Sequence, residues 1–162
     1  MPLPISFQSD LRIVLTAYAD QASQIFKIRQ QVFHQEQGIA ADLDMDGEDD
    51  HAEQFIAYIQ GQPVGIARMR AYGHQLTQAK IERVAVLPEF RGQGIGRAIL
   101  EKMLAHARQQ DFATALVYAQ EASIPFYEQL GFCKQGKTFI QAGIPHLALT
   151  KNLSPPSLAL DP

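Results

Sequence analysis

The stretch that most limits how this chain can fold is Val84–Arg97, VAVLPEFRGQGIGR. An apolar β-branched run ends at Val86, Pro88 forces a turn, and Gly92, Gly94 and Gly96 follow at every second position. From Ile95 the pattern turns helical: Ile95, Ile99, Met103, Leu104 and Ala107 share one face. Strand, glycine turn and helix are therefore expected in that order. Such a turn aims several backbone N–H groups at one point, and the helix dipole adds about half a positive charge there. Arg91 and Arg97 flank the turn and would add charge-assisted bonds to phosphate oxygens. The expected ligand carries a diphosphate.

Composition narrows the remaining classes. At 162 residues and 46% apolar, the chain suits one compact domain. A net charge of −3 without a Lys/Arg cluster argues against nucleic acid as a partner. The single cysteine, Cys133, excludes an intrachain disulfide framework and fits a reducing, cytoplasmic setting. No basic leader and no run of 18 apolar residues is present, so neither secretion nor a membrane span is expected. Histidines 34, 51, 74, 106 and 146 show no metal-ligand spacing, so no metal is expected.

Along the chain, Leu11–Tyr18 reads as a strand. Asp20 is a candidate N-cap for a helix from Gln21 to Gln37, with Ile25, Phe26, Val32 and Phe33 inward and Gly38 ending it. Arg29, Phe33 and Glu36 fall on one side of that helix, either as part of an amphipathic core or lining a pocket. Asp42 to Glu53 matches the calcium-loop template D-x-D-x-D-G-x5-E letter by letter. A strand pattern follows where a calcium loop needs a helix, so a solvated acidic loop is the reading. Gln54–Gln60 and Pro63–Arg70 flank Gly61-Gln62 as a hairpin. Lys80–Val86 leads into the glycine turn, with Glu82, Val84 and Val86 on one face unless a bulge intervenes. Ala113–Ala119 is an apolar strand covered on both faces. Ser123 caps a short helix that Gly131 ends, and Phe132–Phe139 and Ile144–Leu153 are final strands joined through Gly143. The sum is an α/β (α+β) fold with a mixed, mostly antiparallel sheet flanked by helices, over residues 1–153. A proline-broken tail, residues 154–162, follows and reads as disordered or extended chain.

The glycine spacing is neither G-x-G-x-x-G nor a P-loop, because Arg97 stands at the third glycine position and no Lys-Ser or Lys-Thr pair occurs. Arg91-x-x-Gly94-x-Gly96 resembles the pyrophosphate motif of the GNAT N-acetyltransferase superfamily. Phe126-Tyr127-Glu128-Gln129-Leu130-Gly131-Phe132 is similar to the F-Y-x-x-L-G-F signature of that fold, 30 residues downstream as in the family. Phe139 to His146 resembles the F-x-E-A-G-I-P-H ending of the bacterial ElaA/YjcF-like branch. Ile28-Arg29, Val32-Phe33 and Glu36-Gln37-Gly38 fit the same branch, and the resemblance spans roughly residues 10 to 153. Two positions depart: Gln120 replaces an Asn that touches pantetheine, and Gln141 replaces a Glu.

The resemblance implies acetyl transfer from acetyl-CoA to a small-molecule amine by direct attack in a ternary complex. It makes Tyr127 the acid for the leaving thiolate and Glu82 the base or the anchor of a water chain. Coenzyme A would be held by Val84, Ala85 and Val86, by Arg91, Gly92, Gln93, Gly94, Ile95, Gly96 and Arg97, and by Gln120, Ser123 and Phe126. Arg29, Phe33, Arg70, Arg83 and His146 are acceptor-site candidates, with Arg68 beside them for an anionic acceptor. Each has a plainer alternative: a core tyrosine, a solvated glutamate, surface arginines, a structural histidine. Cys133 reads as buried sheet filling. Two competing functions are a non-catalytic coenzyme A sensor and an acyl-homoserine-lactone-synthase-like acyltransferase; the intact glycine turn weighs against the second. The assembly expectation extends to a homodimer.

Overall fold

The computed structural model describes residues 10–154; the tail expectation beyond Ser154 lies outside the described residues. Seven strands form one mixed sheet in the order β1-β2-β3-β4-β5-β7-β6. They are β1 (Leu11–Ala17), β2 (Glu53–Ile59), β3 (Gln62–Tyr72), β4 (Gln78–Val86), β5 (Thr114–Gln120), β6 (Cys133–Gln141) and β7 (Ile144–Asn152). The helices are α1 (Tyr18–Arg29), α2 (Ala41–Asp44), α3 (Ile95–Gln109) and α4 (Ile124–Gln129). The chain divides into two compact units, one up to Arg70 with Glu82–Met103, the other Ala71–Ile81 with the residues from Leu104 onward.

In the first unit β1 runs antiparallel to β2 from Leu11↔Ile59 to Ala17↔Glu53, and β2 antiparallel to β3. The β2–β3 turn is Gln60–Gly61, one residue earlier than the sequence suggested, with φ of 50° and 79°. Two positive φ values match the right-handed twist of the hairpin. Residues of α1 and the turns just after it, of β2–β4 and the residue after β4 form a core: Ile25, Ile28, Val32, Phe33, Ile56, Ile66, Ala85 and Leu87. Full burial of each large side chain stabilises by roughly 1.5–3 kcal/mol.

Three expectations for the first helix change. It begins at Tyr18, with Ala17 and not Asp20 at the N-cap, and Gln21 leaves helical geometry (φ −135°, ψ 24°). From Gln30 to Glu36 the turns widen to a π-helix, which rotates the faces away from a 3.6-residue count. Phe26, expected inside, is 40% exposed, while Ile28 and Arg29 are buried in its place. Gly38 does end the segment, at φ 70°.

In the second unit the first half of β4 pairs parallel with β5, from Gln78↔Thr114 to Ile81↔Val117. β5 then pairs antiparallel with β7, and β7 with the edge strand β6. The Ala142–Gly143 turn again has two positive φ values, 52° and 74°. Ala115, Val117, Ala119, Leu147 and Leu149 are buried, as the apolar runs predict. Cys133 is exposed on β6, against the expectation of a buried thiol, because strand β6 is the sheet edge and shows water most of its side chains. Ser123 holds the N-cap position of α4 but makes no side-chain cap bond.

Candidate functional site

The glycine turn is built in four steps. Leu87 N–H donates to the Val64 carbonyl (2.9 Å), which ties the end of β4 to β3. Pro88–Phe90 then forms one 3-10 turn, closed by Phe90 N–H to Leu87 O (2.9 Å) and Arg91 N–H to Pro88 O (3.2 Å). Gly92 and Gly94 take φ of 74° and 86°, and a Cβ on either would meet nothing within 4 Å. Backbone conformation, not crowding, is what asks for glycine here. Finally Ala98 N–H bonds to Gly94 O (3.0 Å), so the amides of Ile95, Gly96 and Arg97 lack an intrahelical acceptor.

The flanking arginines are engaged elsewhere. Arg91 makes a two-pronged bond to Glu36 (2.6 and 2.6 Å), and its Nε donates to the Val86 carbonyl (2.9 Å). The Arg91 hydrogen bond lowers the Glu36 carboxyl. Arg97 Nε pairs with Glu101 at 2.9 Å on the helix surface. Phosphate binding at this turn would therefore come mainly from backbone amides. Close packing under the helix is secured by Gly65, whose Cβ would stand 3.0 Å from Ile99 Cδ1 and 3.3 Å from the Ala85 carbonyl.

The acidic loop is not a solvated loop. Asp44 and Asp49 are buried, and the loop carboxylates face arginines from α1, β3 and β4. Arg29 grips Asp49 through both terminal nitrogens (2.8 and 2.7 Å). Arg68, fully buried, bonds Asp46 (2.9 and 2.6 Å), Asp49 (3.1 Å) and Glu82 (2.5 Å). Arg70 Nε donates to Glu82 Oε1 at 2.6 Å. Arg83 reaches Asp46 (3.2 Å) and the Asp44 carbonyl (3.1 Å), and its Nε stands 2.9 Å from Asp44 Oδ1. His34 Nε2 meets Asp44 Oδ2 at 2.9 Å. Burial pushes the Asp46 carboxyl up, but Arg68 overrides it and holds it well below the usual carboxylate range. The same contest ends the same way at Asp49, where Arg29 and Arg68 win. Asp44 and Asp46, two of the three aspartates that fit the calcium template, thus face guanidinium groups, as does Asp49 further along the loop.

Strand β4 also breaks its pleat: Arg83 has φ 58°, which answers the expected alternation with an irregularity and turns its side chain to Asp44 and Asp46. Glu82 sits just before this break with both oxygens accepting from arginine. Arg29, Arg68, Arg70 and Arg83 each face a carboxylate of the protein itself. Phe33 is a core residue.

In the second unit Tyr127 is buried between Phe126 (centroids 5.0 Å apart) and Phe132 (5.7 Å). Burial raises its phenol, which stays protonated at neutral pH, and its hydroxyl makes no hydrogen bond to another described residue. Leu130 and Phe132 N–H groups both bond to the Tyr127 carbonyl (3.0 and 3.1 Å), closing α4 into Gly131 at φ 92°. Strand register sets His146 opposite Gln120 on one side and Phe139 on the other. Sequence reasoning missed Lys80, whose ammonium lies 4.3 Å from the Tyr72 ring centroid and 4.1 Å from that of Tyr118. Only a lysine at a buried strand position hinted at it. It also missed Asp46 and Asp49 as arginine partners, although buried arginines require matching acids.

Residues 14–153 match the family model described as an acetyltransferase (GNAT) domain. The chain is 30% identical over 146 residues to the N-acetyltransferase YjcF of Bacillus subtilis, covering 88% of this chain and 100% of that one. Its fold is similar to that of Escherichia coli ElaA, with a TM-score of 0.78 at 22% identity over 88% of this chain and 99% of the other. It is also similar to a GNAT family acetyltransferase from Elizabethkingia anophelis solved with acetyl-CoA bound: TM-score 0.69, 14% identity, 88% and 98% covered.

Proposed function

The chain belongs to the GNAT acetyltransferase family, on the branch that includes YjcF, and from that premise we propose that it moves the acetyl group of acetyl-CoA to a primary amine of a small molecule. The observation that carries the reading is the glycine turn, whose open space and unpaired helix-start amides suit a pyrophosphate. Gly92, Gln93, Gly94, Ile95, Gly96 and Arg97 hold it through backbone groups, and Arg91 braces the turn through Glu36 and Val86. The pairing of β4 with β5 covers Gln78–Ile81, which supports a strand-like pantetheine running along Val84–Val86. Gln120, Ser123 and Phe126, at the end of β5 and the start of α4, are the coenzyme candidates of the second unit.

Chemically, the amine attacks the thioester carbonyl in a ternary complex, the C–N bond forms and the C–S bond breaks. Tyr127 protonates the departing sulfur; a hydroxyl that is protonated at neutral pH and bonds no other described residue supports that role. A lysine-like amine must lose a proton first, which costs about 4 kcal/mol at neutral pH. Glu82 is the family-type base, but with Arg68 and Arg70 on its two oxygens it serves better as the anchor of the charge network. A single catalytic domain over 1–153, a cytoplasmic location suited to an exposed thiol, and a homodimer as the allowed assembly complete the proposal.

The test has two arms. Thiol release from acetyl-CoA across a panel of small amines should exceed the amine-free rate for at least one acceptor. In calorimetry Gly94→Asp should lose coenzyme A affinity at least tenfold relative to Gly94→Asn, which tolerates the same positive φ without the charge. Equal affinities for the two variants would remove the turn as the diphosphate site.

A further inference from the structure

We infer that His146 takes the proton from the acceptor's ammonium group. This rests on the acetyltransferase reading above. The proton acceptor must offer a lone pair near the reacting amine, and both Glu82 oxygens are already engaged by guanidinium groups, 2.5 Å from Arg68 and 2.6 Å from Arg70. His146 is placed differently. Its Nδ1 donates to the Ile144 carbonyl at 2.7 Å, two residues back along the chain. A carbonyl can only accept, so this bond puts the hydrogen on Nδ1 and leaves the neutral ring's lone pair on Nε2. Nε2 has no hydrogen-bond partner among the described residues.

The ring is also held still. It is 8% exposed and stacks on Phe139 with centroids 5.9 Å apart and planes 25° from parallel; Phe139 in turn meets Tyr118 edge-on at 5.3 Å. A Gly143 turn at φ 74° and the register Phe139↔His146 leave it one position on the strand. That position is directly across from Gln120, the residue that matches the pantetheine-contact position at the end of β5. A fixed tautomer, a rigid ring and a place beside the proposed pantetheine site are what a general base needs.

The step balances. Nε2 takes one proton from the ammonium, the freed nitrogen lone pair forms the C–N bond, and the C–S bond electrons leave with sulfur, which Tyr127 protonates. His146 ends as imidazolium and Tyr127 as phenolate, and both exchange with solvent after release.

The test uses the full chain, acetyl-CoA and whichever of putrescine, glucosamine, 2-phenylethylamine or a lysine-containing peptide the wild type acetylates. His146→Asn keeps an N–H for the Ile144 carbonyl and deletes Nε2; His146→Gln serves if the first variant melts early. At pH 7, kcat/KM should fall by roughly 10²–10³-fold with acetyl-CoA affinity unchanged. At pH 9.5 the neutral fraction of a lysine-like acceptor is roughly 300-fold higher than at pH 7, so the deficit should shrink below about tenfold. A loss of the same size at both pH values, or kcat/KM within about threefold of wild type at pH 7, overturns the assignment while wild-type turnover leaves the acetyltransferase reading intact. Absence of thiol release by the wild type with every acceptor overturns both.

Discussion

Asp49→Asn is the sharpest probe of how the acidic loop is held. The substitution changes one oxygen to an amide and leaves the shape nearly the same. In the native protein Asp49 is 7% exposed in its side chain and faces Arg29 at 1% and Arg68 at 0%. Without its charge, Arg29 loses both of its bonds to a carboxylate, and Arg68 keeps only Asp46 and Glu82. Breaking a buried pair while its partner stays typically costs about 3–5 kcal/mol. For a chain of this length each kcal/mol moves Tm by roughly 2–4 °C, so a fall of roughly 6–20 °C is expected. Arg29→Met should cost less, because Asp49 then retains Arg68 and Gln54. Acid should act in the same direction. Asp46 and Asp49 have folded pKa values depressed below their unfolded ones, so their contribution is present above about pH 4 and is lost as pH falls further. Thermal melts of wild type and both variants from pH 7 down to pH 3 provide the assay. A Tm for Asp49→Asn within 2 °C of wild type at pH 7, or an equally steep acid decline in that variant, would refute the network as what fastens the loop.

Tyr127→Phe should lower kcat by about 10²–10⁴-fold with little change in coenzyme A affinity; more than about a third of wild-type kcat, with chemistry rate-limiting, would remove Tyr127 from the mechanism. Gly65→Ala should destabilise by about 1–3 kcal/mol, read as a Tm fall of roughly 2–12 °C, because its Cβ would press on Ile99 and the Ala85 carbonyl. An unchanged Tm would mean that α3 can shift away from β3 without loss.

Local sequence determined the elements wherever one signal acted alone. The glycines at 92 and 94 need only their own φ angles, 74° and 86°, to make the turn, so the chain announces it without any help from tertiary contacts. The apolar face of α3 and the order of the strands were legible for the same reason: periodicity within one segment reports which side is buried. Tertiary structure decided everything that joins distant charges. Nothing near Asp49 in the sequence says that Arg29, 20 residues before it, and Arg68, 19 residues after it, will converge on its carboxylate. Read alone, an acidic run is a solvated loop or a calcium template; beside two buried guanidinium groups it becomes their counterion, because an unpaired charge cannot stay buried. The positive φ at Arg83, the π-helical widening after Arg29 and the exposure of Cys133 were likewise invisible, since each depends on what packs or fails to pack against the segment. His146 lies between these cases. Its Nδ1 bond is local and sets the tautomer, but its place across from Gln120 comes from the pairing of two strands that start 30 residues apart, Thr114 in β5 and Ile144 in β7.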